Sequence, residues 1–385
     1  MTLEKWNDAL LDPMRQMVDP PADKVVADVI DSGGAEAVNA LMRHLVGNRD
    51  VIPESLPKVV KDFLEKTEVL PKWADKKLIR KGEQVFDLNG PEMIMMLFFV
   101  SLPYAYATKR GSHVLSITAQ LTKHANRRIF RTAQFIMDVM QEGGLSAGGR
   151  GIRSAQKVRL IHASIRHYIH HNPKWNSEWN PEWGLPINQE DMAGTLMDFA
   201  AGVMRGLDRA GVPLEPDEAE AYLHCWKVVG HIIGVRPELM PENMSDAFDL
   251  ANTIIARQKG ESDSGRALAE DLVQFIQGFL PKSMRGFPAT AIRFLSGDEV
   301  ADIVHVDRAD WTGILLHVQF ALFRLIGLFE RRFPRARGWI RFMTWNLIEK
   351  VILLEEGEGR QGTSFEIPDD LADSWRVSKK RSVTA

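Results

Sequence analysis

Lys157-Val-Arg159-Leu-Ile-His162-Ala-Ser-Ile-Arg166-His-Tyr-Ile-His-His171 is the stretch that decides the fold. At about 100° per residue, Val158, His162, Ile165 and Ile169 share one face of a helix. His162 therefore sits in an apolar stripe, whereas most histidines sit at polar edges. His167 points about 140° away from it, His171 about 180° and His170 about 80°. Those three lie near the helix C-terminus, whose dipole favours positive charge. Arg159 and Arg166 flank His162 one turn before and one turn after. A neutral imidazole projecting from a helix into an apolar pocket is a common way to hold haem iron, and guanidinium forks suit propionate carboxylates. A lone histidine on an apolar face is more often a hydrogen-bonded core residue, and spacing alone does not decide between the two.

The same three- and four-residue apolar spacing recurs along the chain, while alternating strand patterns are scarce. It predicts helices near 24–47, 56–67, 75–87, 91–107, 113–141, 153–171, 188–210, 216–234, 243–258, 264–279, 297–305, 310–332 and 338–354. Pro181, Pro186, Pro213, Pro216 and Pro237 fall between them. Asn188 with Asp191 has capping spacing, and Pro216 with Asp217 and Glu218 fits a helix start. Gly143 to Gly151 reads as a flexible connection and lacks the lysine and Ser/Thr of a phosphate loop. The expected class is all-α, with one helical domain over 1–385, a functional core over 75–280, additional helices over 281–356 and a polar tail from 357 to 385.

Composition fits a large core: 45% of the 385 residues are hydrophobic, and the net charge is only −3. No block of like charge is long enough for a nucleic-acid arm, so nucleic acid is not an expected partner. The single cysteine, Cys225, excludes an internal disulfide and a CxxC knuckle. The N-terminus mixes charged and apolar residues, so it is not read as a secretion signal, and a cytoplasmic location is expected. Met93 to Ala107 and Thr312 to Phe329 are apolar but read as buried core helices, the first being shorter than the roughly 20 residues of a spanning helix. Contact with a membrane surface stays open, as does the oligomeric state.

Upstream of the histidine helix, Arg128, Arg131, Thr132 and Phe135 fall at i, i+3, i+4 and i+7 of another helix, opposite an apolar face that includes Ile129, Ala133 and Ile136. By periodicity this is an amphipathic helix with a polar stripe in water.

Together the two helices resemble the family that joins latex-clearing protein (rubber oxygenase) with the MpaB-type, DUF2236-like oxygenases. The resemblance rests on RRIFRT (Arg127 to Thr132), KVRLIHASIRH (Lys157 to His167) with its Arg-x-x-His-x-x-x-Arg core, PINQEDMAGTLMDF (Pro186 to Phe199), and Tyr222 to Val235 with Pro241 downstream. It covers about Ser101 to Ala256 and is weak in the first 70 residues and the last hundred. It implies a globin-like helical core with additional N- and C-terminal helices, and a b-type haem whose iron is held by His162. Arg159 and Arg166 would be cofactor-binding. Arg128, Arg131 and Thr132 would line a distal face, so that O₂ lies between iron and the Arg/Thr side chains. The expected activity is oxygenation of a hydrophobic, unsaturated, isoprenoid or lipid-like small molecule. The runner-up is a haem-binding sensor or carrier without turnover. The chain departs from the family where Arg131 replaces a distal lysine. It departs again where a glutamate base is expected: Gly111 to Gln134 contains no acidic residue, which leaves His113 as the candidate for proton transfer.

Other groups read as structural. His224 and His231 lie seven apart, about 10 Å along a helix, too far for one metal ion. Trp175, Trp179 and Trp183 sit in a loop and are expected to pack beneath it, with the border of a substrate entrance as the weaker alternative.

Overall fold

The computed structural model describes residues 5–47, 56–122, 125–212 and 214–318, together with 320, 321 and 325. The expected helix at 338–354 and the tail lie outside the described residues, as does most of the segment beyond 318. In chain order the helices are α1 (Asp8–Met14), α2 (Pro20–Gly47), α3 (Lys58–Glu68), α4 (Lys76–Met96), α5 (Leu102–Ala107), α6 (Gly111–Thr122), α7 (Ala125–Met140) and α8 (Arg150–His171). They continue as α9 (Pro173–Glu178), α10 (Gln189–Met197), α11 (Val203–Ala210), α12 (Pro216–Ile233), α13 (Met244–Gln258), α14 (Asp263–Gln277), α15 (Phe287–Ser296) and α16 (Asp298–Ile303). Among the described residues there is no strand, only an isolated bridge between Thr108 and Lys259. The fold is all-α.

Local chemistry explains most boundaries. The Asn188 side chain accepts a hydrogen bond from the backbone N–H of Asp191 at 3.0 Å and so caps α10. Glu215 and Glu218 close a capping box at the start of α12, with Pro216 in the first turn. A break was expected between 87 and 91, yet α4 runs through Pro91. The residue before a proline normally clashes through its Cβ, and Gly90 has none. Buried Met93, Met96 and Leu97 then hold the helix in place. Three short helices escaped the periodicity, α1, α9 and α15, because six to ten residues are too few to show a period.

The connection from Gly143 to Gly151 is tied rather than loose. The buried Glu83 carboxylate accepts from the backbone N–H of Gly143 at 3.1 Å and of Leu145 at 3.4 Å.

The core is one cluster running from Trp6 to Phe320. Its axis is the pair α4 and α12, and α8 packs on α2, α7 and α12. Gly82 sets the spacing of the axis: a Cβ there would stand 2.5 Å from the Ala221 carbonyl and from Cys225 Sγ. The stretch Lys76–Ala107 is long and apolar enough to cross a membrane by composition, but 61% of its most apolar window is buried inside the fold. Core packing accounts for it.

Two π-helical turns interrupt this core, Leu97–Ser101 between α4 and α5 and Asp198–Gly202 between α10 and α11. They pack on one another, and Ser101 Oγ donates to the Asp198 carbonyl at 2.7 Å. A π turn widens the helix and re-aims its side chains, and such turns gather at functional sites.

Candidate functional site

Between α6, α7, α8, α10, α12 and α13 lies a cavity of about 350 Å³, within the range of small-molecule sites. Its wall is mostly apolar, with Leu102, Val114, Leu115, Phe135, Trp226 and Ile254 among the lining residues. From α8, Val158, Ile161, His162 and Ile165 reach it, and from α7, Arg131, Thr132 and Phe135. The histidine stripe and the Arg131–Thr132 face thus border one cavity, as the resemblance implies and as periodicity alone does not. The polar stripe of α7 does not simply face water.

His162 is enclosed by protein yet keeps some accessible surface, because its ring borders the cavity. Its Nδ1 is buried without a hydrogen-bond partner, and no hydrogen bond of its Nε2 is present among the described residues. Burial first, and the nearby Arg166 charge second, push its pKa down to about 3. At neutral pH the ring is therefore a neutral imidazole with an unused nitrogen, the state a metal ligand requires. A core histidine held by a hydrogen-bonded neighbour is not what the geometry shows.

Arg159 and Arg166 do not line the cavity, contrary to their expected role as cofactor-binding residues. Arg159 forks the Asp19 carboxylate, with Nε to Oδ2 at 2.6 Å and Nη2 to Oδ1 at 2.8 Å, and donates through Nη1 to the Ile232 carbonyl at 3.1 Å. Arg166 Nε donates to Asp23 Oδ1 at 2.8 Å, while Nη2 stands 2.6 Å from the same oxygen as an ion-pair contact poorly aligned for a hydrogen bond. Asp19 and Asp23 lie one turn apart at the start of α2, so the two arginines clamp that helix end onto α8. Both guanidinium groups are committed to protein carboxylates. Gly234, the left-handed cap of α12 with φ +94°, fits against the Asp19–Arg159 pair where a Cβ would stand 2.7 Å from Asp19 Oδ2.

His113, the candidate for proton transfer, is also not among the lining residues. It packs against Trp183 and Trp179 with ring centroids 5.1 and 6.0 Å away, and its Nδ1 is 3.4 Å from Ser264 Oγ. Helix α6 turns neighbouring Gly111, Val114 and Leu115 toward the cavity instead. The side chain of Arg128 lies outside the described residues. Trp175, Trp179 and Trp183 do not line the cavity. The Trp175 indole donates to Tyr168 Oη at 2.7 Å and that of Trp179 to the Gly184 carbonyl at 2.9 Å, so both pack as expected, although Trp175 does so from helix α9 rather than from a loop. His224 and His231 both meet Trp73 edge-on, and His224 Nε2 accepts from the Asp75 N–H at 2.9 Å, so they too are packing residues.

The sequence reading missed lining residues of chemical weight: Gln258, Asp191, which it took only for a capping residue, and Asp198. For Asp198 the available signal was a lone acid inside the apolar run Leu196-Met-Asp-Phe-Ala-Ala.

Comparison with known proteins agrees with this architecture. Residues 93–329, more than half of the chain, match the family model for the catalytic domain of ER-bound oxygenase mpaB/B'/rubber oxygenase. The chain is similar to the rubber oxygenase of Streptomyces sp. (strain K30), at 29% identity over 354 residues, or 91% of this chain and 85% of that protein. It is also similar to the solved structure of latex clearing protein LCP in the closed state, with TM-score 0.69, 26% identity and coverage of 94% of this chain and 90% of that one. By this match the chain belongs to the mpaB/rubber oxygenase family, and it is an oxygenase.

Proposed function

We propose that the chain is a b-type haem-dependent oxygenase acting on a hydrophobic, unsaturated, isoprenoid-like or lipid-like molecule, with His162 as the protein ligand to iron. The observation that carries the reading is the His162 ring itself: neutral, bordering an apolar cavity and without a hydrogen-bond partner. A buried polar atom without a partner is costly and calls for an explanation, and a metal ion supplies one. Among the described residues no group of three or more His, Cys, Asp or Glu side chains could hold a metal ion. An iron at His162 must therefore bring most of its own ligands, as a porphyrin does.

Haem bound there supplies the dioxygen chemistry that the side chains of this cavity lack. The protein supplies the rest. His162 fixes the position and orientation of the group. The apolar wall excludes water and receives a hydrophobic chain. Arg131, exposed while lining the cavity, and half-buried Thr132 can donate hydrogen bonds to dioxygen or to a developing oxyanion. Arg131 cannot itself occupy an iron coordination site, because a guanidinium has no free lone pair at neutral pH. Arg159 and Arg166 act at one remove by fixing α8, and His113 has no part in this scheme. The relatives' names tie them to rubber and latex, in keeping with a hydrophobic substrate here.

The test is a pair of measurements on the full chain supplied with haem. A Soret band at one haem per chain, with oxygen uptake and new carbonyl products by mass spectrometry on an unsaturated lipid and terpenoid extract, is expected. A band without oxygen uptake would leave a haem sensor or carrier. No stoichiometric band would remove haem from the account.

A further inference from the structure

Each buried acid near the cavity except one has its partners. Glu190 meets Arg15, Arg257 and the Gln258 amide. The Asp191 carboxylate accepts from Arg15 and from the Asn188 amide. Asp19 holds Arg159. The exception is Asp198. Its side chain lines the cavity, enclosed by protein but with surface toward that space. Among the described residues its carboxyl makes no hydrogen bond and no ion pair. The nearest cation in sequence, Arg205, is committed to Tyr104 Oη at 3.0 Å and to Asn252 Oδ1 at 2.6 Å.

The backbone keeps Asp198 in this position. It opens the second π turn, and its carbonyl is held by Ser101 from the first. The same cavity is lined by the apolar side chains of Leu102, Leu196, Phe199 and Trp226. Phe199 and Trp226 stack with centroids 5.2 Å apart, which adds an aromatic face to that wall.

We infer that Asp198 is a specificity-determining residue of the cavity, and that its carboxyl receives the hydroxyl or carbonyl oxygen of a substrate that is otherwise apolar. The inference rests on the cavity being the substrate site, as proposed above, and narrows the substrate class from hydrocarbon to an oxygen-bearing isoprenoid or lipid. Burial drives the pKa of Asp198 well above the ordinary carboxylate range, with Arg205 only partly opposing it. Burial thus favours the carboxylic acid form, which donates through its O–H and accepts through its C=O. An alcohol satisfies both capacities and a carbonyl satisfies the first. A hydrocarbon satisfies neither and leaves a buried acid unpaired, which is how polar sites reject analogues that lack the matching group.

The experiment compares geraniol with its deoxy hydrocarbon, which differ by the hydroxyl alone, binding to haem-loaded full chain by calorimetry. The ratio of the two dissociation constants is expected to shift by about 10-fold or more toward the hydrocarbon in Asp198→Leu, and by about 3-fold or less in Asp198→Asn. Infrared difference spectra give a second reading that does not depend on folding of the leucine variant. Wild type should show a carboxylic-acid C=O band, absent from Asp198→Asn, that shifts on adding geraniol and not on adding the hydrocarbon. An unchanged ratio in Asp198→Leu, binding of neither compound, or a geraniol complex that leaves the band unmoved would overturn the inference. The Soret band is read in parallel, so loss of haem, which would defeat the functional reading, is seen separately from loss of discrimination.

Discussion

Along α8, Arg159 and Arg166 stand one turn either side of His162, yet they belong to different parts of the molecule. The arginines reach to Asp19 and Asp23 and clamp α2, whereas the histidine borders the cavity with its imidazole unpaired. Spacing placed all three on neighbouring faces, and the partners separated them. A long guanidinium side chain travels to the carboxylate that compensates its charge, and a short imidazole stays where the helix puts it. One Arg-x-x-His-x-x-x-Arg pattern thus encodes both a structural clamp and a ligand, so removing a clamp residue and removing the ligand should have opposite consequences for the folded chain.

The largest effect expected is on the clamp. Arg159→Ala leaves the Asp19 carboxylate, 3% exposed, without its fork. Breaking a buried pair by removing one member costs about 3–5 kcal/mol, readable as a lower urea midpoint. Asp19→Asn combined with Arg159→Ala should cost less than the sum of the two single changes, since the stranded charge is then gone. A midpoint within error of wild type would mean that the clamp carries no stability.

Next comes Gly234→Ala. The left-handed φ and the 2.7 Å approach to Asp19 Oδ2 both oppose a side chain, and together they should cost roughly 2 kcal/mol. The cost should shrink in the Asp19→Asn, Arg159→Ala background if the close approach, rather than φ alone, is responsible.

A smaller effect comes from His167, whose pKa burial lowers to about 4, with His171 and His170 adding repulsion. Because the folded-state pKa lies below that of the unfolded chain, the unfolded state takes up the proton first. Stability from this source is complete above about pH 6.5 and falls as pH drops toward 4. The ring is partly solvated, so the loss should be about 1 kcal/mol or less. His167→Gln should flatten the slope of unfolding free energy over that window, and an unchanged slope would remove His167 from it.

On the cavity side the expected change is near zero. In the haem-free chain, His162→Leu removes a buried nitrogen that has no partner. Replacing such a group by an apolar side chain is about neutral, or stabilising by up to roughly 1 kcal/mol. Destabilisation on the scale of the clamp would show that His162 is a packing residue after all.

Much of the fold was legible. The apolar period of α8, the Asn188 cap and the capping box at Pro216 depend on residues within one or two turns of each other, and local spacing finds them. Helix rise also sufficed to read His224 and His231 as packing residues, and both meet Trp73 edge-on. What stayed hidden were long-range partners. Asp19 and Asp23 lie 140 and 143 residues from the arginines they hold, so no window of sequence could assign those arginines. His113 was chosen because no acid stood nearby in the chain, but helix rotation turned it onto Trp183 and Trp179. Asp198 was overlooked because it opens a π turn, which periodicity does not predict.

Haem titration followed at the Soret band tests the central claim most directly, comparing wild type with His162→Ala, His167→Ala and His171→Ala in the full chain. The account predicts one haem per chain for wild type and for the His167 and His171 variants. It predicts at least about 100-fold weaker binding for His162→Ala, because the only protein–iron bond is lost. Wild-type affinity in His162→Ala, or no stoichiometric binding by the wild-type chain, would contradict it.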